Sequence, residues 1–180
     1  MPIEVFAADE QSAQAVDLAR WSDLAERVLG DRQLGDDVEL AILFVDEASI
    51  ASLNRRFLGH DGPTDVLSFP IEDDLILQSG PPGGVAPRGA GPGRSGLDDE
   101  IGETPGPGIP LLLGDVVICP AVAARNAPDH AGTYDDEIAL LLVHGILHLL
   151  GMDHEVETEA NEMETLEQLL LDRHYRQAVP

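Results

Sequence analysis

The sequence predicts a single domain in which a small β-sheet is packed with helices around one deeply buried helix. Three observations carry that expectation. The chain has 180 residues and 43% hydrophobic content, enough for one real core and little more. Three runs, Val38–Val45 (VELAILFV), Thr64–Ile71 (TDVLSFPI) and Leu111–Cys119 (LLLGDVVIC), have the length and the apolar, β-branched character of strands. One helical stretch, Tyr134–Leu150, is apolar nearly all round, which places it at the centre of a domain rather than on its surface.

Ile3–Phe6 reads as a short first strand. Glu10–Leu29 reads as an amphipathic helix, with Leu18, Trp21, Leu24, Ala25 and Val28 at helical spacing and Gly30 as its stop. After the strand Val38–Val45, Asp46 can cap a helix running to about Phe57, with Ile50 and Leu53 facing inward. Gly59–Pro63 is a turn. In Thr64–Ile71, Pro70 places the strand near an edge or at its end. Residues Gln78–Pro110 are dominated by Gly and Pro, with almost no large apolar side chains to offset the entropy of ordering, so they read as a flexible loop inserted inside the domain. Leu111–Cys119 is a third strand or a hairpin partner of TDVLSFPI. Pro120 opens a helix to about Pro128. The acids Asp135, Asp136 and Glu137 favour the start of the buried helix, and Gly151 ends it. Glu157–Arg176 is a last helix with Met163, Leu166, Leu169 and Leu170 inward. The whole of 1–180 is therefore expected to be one domain.

The formal charge is −24, from 34 acids against 10 bases, and every base is an arginine. A surface of that sign repels anionic lipid and bulk nucleic acid, so a polyanionic substrate has to be met locally by the few arginines or by a metal. The single cysteine, Cys119, excludes an intrachain disulfide and an all-cysteine metal site. Met1–Glu10 does not read as a signal peptide, and the longest apolar run, Ile138–Leu150, falls short of the roughly 20 residues that cross a bilayer. A cytoplasmic protein is expected.

The chemistry is concentrated in three histidines. His144 and His148 project from one face of the buried helix, roughly 40° apart in azimuth and about 6 Å along its axis. The break at Gly151 returns the chain so that His154 reaches the same point. Three neutral nitrogens leave a fourth tetrahedral position open, the arrangement of a catalytic rather than a structural zinc; nickel or iron would fit similar spacing. As separate core histidines, each ring would need its own buried partner. His60, His130 and His174 have no comparable spacing and read as surface residues. The pattern H-x-x-x-H-x-x-G-x-x-H matches metzincin proteases, but their general-base glutamate is replaced by Gly145, which can do no acid–base work. Met163 fits an inward helical position better than a methionine turn.

The stretch His144-Gly145-Ile146-Leu147-His148-Leu149-Leu150-Gly151-Met152-Asp153-His154 resembles the YbeY family of bacterial metal-dependent endoribonucleases, whose pattern is H-G-x-L-H-L-x-G-x-D-H. Leu53-Asn54, Asp61 and Pro63–Pro70 resemble a second family block, P-T-D-V-L-S-F-P with its lead-in, and Leu113–Ile118 a third, L-G-D-I-x-I. The resemblance implies an α+β fold: a small mixed β-sheet packed with helices, its central buried helix carrying the metal ligands. It implies one zinc ion and hydrolysis of single-stranded RNA, with roles in 16S rRNA 3′-end maturation and 70S ribosome quality control. The implied partners are rRNA and ribosomal particles, with a ribosomal protein as a candidate aid to an acidic enzyme approaching RNA.

The sequence departs from the family at Leu58 and His60, which stand where many members carry a functional arginine and a lysine. Arg55 and Arg56, just upstream, are the candidates for a phosphate contact. Asp153 and Glu155 flank His154 as candidates for acid–base work or for orienting a ligand, with Asp65 and Asp115 further candidates. The competing reading is a ribosome-assembly factor whose metal is mainly structural, which calls for a fourth protein ligand such as Cys119.

Overall fold

The structure, a computed structural model, describes residues 3–32, 34, 37–71, 111–152 and 154–177. The stretch 78–110, read above as an inserted loop, and Asp153 both lie outside these residues. The rest is α+β. Strands β1 (Ile3–Asp9), β2 (Val38–Phe44), β3 (Val66–Pro70) and β4 (Leu111–Ile118) form one sheet in the order β1-β2-β4-β3. β1, β2 and β4 run parallel, and β3 pairs antiparallel with β4 at the edge, where Pro70 closes the strand.

The first strand is longer than its sequence suggests. Phe6-Ala7-Ala8-Asp9 has little strand character of its own, but β2 pairs with it in register from Ile3↔Val38 to Asp9↔Phe44. Conversely, helix α1 (Leu18–Asp31) begins eight residues later than the periodicity from Glu10 implies. Asp9, Gln11 and Gln14 hydrogen-bond one another in a local turn, and the Asp17 side chain accepts from Arg20 N at 3.1 Å, making Asp17 the cap. Asp46 caps α2 (Glu47–Leu53) as expected, accepting from Ser49 N at 2.7 Å, and the helix widens into a π-helical turn over Asn54–Leu58. α3 spans Pro120–Asn126, with Pro120 in its first turn.

Two apolar clusters cover the sheet. The larger lies between one sheet face and helices α1, α4 (Tyr134–Leu149) and α5 (Glu157–Leu171). The smaller, on the other face, gathers Val45, Ile50, Leu67, Val117, Cys119 and Val122. α4 is the most buried helix, with Thr133 Oγ1 capping Asp136 N and Ile138, Leu142, Ile146 and Leu147 fully covered. Its first turn also buries Glu137, which accepts from His130 Nδ1 at 2.9 Å and from Ala131 N at 3.1 Å. His130 itself is exposed.

α5 departs from the expected inward face at one position. Met163, Leu170 and Leu171 are buried and Leu166 is packed against them, but Leu169 is exposed; Glu167 takes an inward place instead. The end of α5 continues as a π-helical turn (Asp172–Arg176) that is tied down on two sides: Tyr175 Oη donates to Asp136 Oδ1 at 2.9 Å, and Arg173 donates to Asp31 at 2.7 Å. His174 is not a surface residue. Its side chain is 16% exposed and lies 3.6 Å from Asp31. Burial alone would raise the Asp31 carboxyl, but the hydrogen bond and charge of Arg173, with His174 beside it, hold it below the usual range.

The approach of α4 to the sheet depends on Gly145. A Cβ there would stand 2.7 Å from Val116 Cγ1 and 3.2 Å from Ser68 Oγ, and Ser68 Oγ donates to the Gly145 carbonyl at 3.1 Å. Val116 is fully buried and β-branched, so it has nowhere to turn. Gly145→Ala should therefore lower the free energy of urea unfolding by about 1–2 kcal/mol, the overpacking cost outweighing the gain of roughly 1 kcal/mol from helix propensity. Combined with Val116→Ala, it should cost less than the two single changes added together. A more stable Gly145→Ala protein would contradict this close approach.

Candidate metal centre

Two local structures bring the histidines together. On α4, His144 and His148 are successive-turn neighbours, their ring centroids 4.5 Å apart and nearly perpendicular. The helix then ends in a Schellman turn: Met152 N donates to Leu147 O and Gly151 N to His148 O, each at 3.0 Å. Gly151 has a φ of 93°, which side-chain-bearing residues rarely adopt, and Met152 packs back on the core cluster that contains Leu147. That reversal carries His154 back over the helix, its ring centroid 5.7 Å from that of His144 and 5.1 Å from that of His148.

The ligand-capable atoms of the three rings lie within 4.8 Å of one another, and the two Nε2 atoms of His144 and His148 are 2.9 Å apart. A tetrahedral zinc with Zn–N near 2.0–2.1 Å separates its nitrogens by about 3.3 Å, so this donor set fits such an ion with small adjustment. All three donors are borderline-soft imidazole nitrogens, the chemistry that suits zinc and its transition-metal neighbours. Among the described residues the group contains these histidines and no fourth side chain. Cys119 is fully buried in the smaller cluster on the other face of the sheet, which removes it as a closing ligand.

The group lies partly open. The His144 side chain is 28% exposed and His154 is exposed. Behind it, the outer nitrogen of His144, Nδ1, hydrogen-bonds Oε1 of Glu167 on α5. Sequence reasoning did not single out Glu167. The available signal was an acid between Met163 and Leu170, on the face of α5 that packs inward.

The other candidates are placed elsewhere or lie exposed. Glu155 is exposed next to His154. Asp65 serves the start of β3, its Oδ1 accepting from Val66 N at 2.8 Å. Asp115 is next to Val116, which faces α4, so strand alternation turns it to the opposite face with Val117. Burial there raises its carboxyl above the usual range. Arg55 pairs with Asp61 at 3.1 Å, Arg56 lies over the Phe57 ring at 5.4 Å, and Leu58 is an exposed apolar residue. Among the described residues no helix is long and apolar enough to cross a membrane.

A family model described as Endoribonuclease YbeY matches residues 6–175. The Endoribonuclease YbeY of Acidothermus cellulolyticus is 44% identical over 161 residues, covering 89% of this chain and 85% of the relative. That of Salinispora tropica is 39% identical over 171 residues, covering 95% and 94%. The solution structure of TM1509 from Thermotoga maritima shares the fold, with a TM-score of 0.52 at 21% identity, over 97% of this chain and 94% of that one.

Because the Schellman turn aims His154, its glycine is the sensitive point. Gly151→Ala should cost about 1–2 kcal/mol of stability through the left-handed backbone, and Gly151→Asn distinctly less, since asparagine tolerates that region. Chemical denaturation of the two variants reads the difference; equal costs would place the strain elsewhere.

Proposed function

Because the chain belongs to the Endoribonuclease YbeY family, we propose that it is a zinc-dependent endoribonuclease whose ion is held by His144, His148 and His154. The observation that carries this reading is the convergence of three ring nitrogens with no fourth side chain among the described residues. When bound, a divalent ion there supplies Lewis acidity to a phosphodiester and a nucleophile at neutral pH. The protein's own part is to hold the three rings in place, with α4 locked against the sheet at Gly145 and His154 returned by the turn at Gly151. The exposure of His154 leaves the group within reach of an extended, single-stranded backbone.

The substrate we propose is single-stranded RNA, and the biological setting is the cytoplasmic ribosome: maturation of the 16S rRNA 3′ end and quality control of 70S particles. The charge balance supports a positive centre at the site. Arg20, Arg27, Arg55, Arg125, Arg173 and Arg176 are each paired with a carboxylate, so they offer little unbalanced charge to a polyanion. An ion among the three rings would supply positive charge that these paired arginines do not. Asp153 and Glu155 remain our candidates for moving protons or orienting a ligand.

The test is cleavage of a 3′-extended 16S rRNA fragment and of a matched duplex by purified protein. Cleavage of the single strand should be lost after chelation, restored by zinc, and absent in His148→Ala, which should also lose bound metal. Undiminished cleavage by metal-free protein would overturn the reading.

A further inference from the structure

We infer that Glu167 is a positioning residue for this centre, holding His144 in the tautomer that points a lone pair at the ion; the inference rests on the ligand assignment above. A carboxylate oxygen accepts, so the His144 nitrogen facing Glu167 Oε1, which is Nδ1, carries the proton. In a neutral ring the other nitrogen, Nε2, then bears the lone pair, and Nε2 is the atom that stands 2.9 Å from His148 Nε2 inside the ligand group. A neutral imidazole in water prefers the opposite arrangement, with its proton on Nε2. Left to itself, His144 would place a hydrogen where a metal bond belongs.

The placement of the acid supports this role. Glu167 is 7% exposed, on the face of α5 that otherwise buries Met163, Leu170 and Leu171. An apolar side chain would pack there as well and avoid the cost of burying a polar group. The bond to His144 gives the acid its partner, and a carboxylate behind a ligating ring also makes the ring more basic toward a metal. The geometry is fixed by the fold: α4 is held at Gly145, and the end of α5 is tied to Asp136 through Tyr175 and to Asp31 through Arg173.

Two measurements on full-length protein test this. In the metal-free state, two-bond 1H–15N spectra of the imidazoles, with His144 assigned by His144→Asn, should show the Nδ1–H tautomer in the wild type. They should show it also in Glu167→Gln, whose amide oxygen still accepts, and a shift toward Nε2–H in Glu167→Ala. Cobalt(II) titration followed by visible absorption should show affinity falling about tenfold in Glu167→Gln and about a hundredfold in Glu167→Ala, with unchanged far-UV circular dichroism. Wild-type affinity in both variants would overturn the role of Glu167 while leaving the three-histidine site standing. In Glu167→Ala, loss of affinity without a change of tautomer would overturn it too, assigning the loss to packing. Failure of the wild type to bind cobalt would overturn the ligand assignment and this inference together.

Discussion

α4 is enclosed by one face of the sheet on one side and by α1 and α5 on the other, yet it carries imidazoles on two successive turns. Each ring brings two polar nitrogens to the partly open edge of that core. Where those nitrogens go is the constraint on which the rest of the site depends. One is taken by Glu167 from α5, and the Nε2 atoms of His144 and His148 face each other at 2.9 Å with His154 beside them. The glycine in the first turn of the histidine pair, the left-handed glycine after the helix and the anchoring of α5 each serve that convergence.

The close approach at Gly145 links the packing to the chemistry. A glutamate in that position, the general base of the metzincin pattern, would drive its side chain into Val116 and Ser68. The residue is a glycine because the helix has to lie against the sheet, and this fold therefore has no acid at the place where those peptidases have their base. Any group that moves a proton has to come from elsewhere around the rings. On the far side of the sheet, Asp115 belongs to a different environment, half-buried beside the cluster that covers α2.

Much of this was legible in the sequence because it rests on local rules. The apolar, β-branched character of VELAILFV and LLLGDVVIC, the Asp46 cap, the nearly all-round apolar α4 and the glycine that ends it all act within a few residues. The convergence of the three histidines was legible for the same reason, being set by helical pitch and one turn. What escaped depends on contacts distant in the chain. β1 extends to Asp9 because β2 pairs with it. α1 starts at Leu18 because a glutamine turn and Asp17 compete for the preceding residues. Glu167 turns inward because His144, 23 residues away, offers it a proton. His174 likewise is covered beside Asp31 at the end of α1, a contact between residues far apart in the chain.

The central claim is that three imidazoles share one cation and leave a coordination position free of protein side chains. X-ray absorption at the zinc edge of the reconstituted protein measures this directly. One zinc per chain is expected, with three imidazole nitrogens and a single light oxygen scatterer, all near 2.0–2.1 Å. A sulfur shell near 2.3 Å, or a shell of carboxylate oxygens without imidazole multiple scattering, would contradict it.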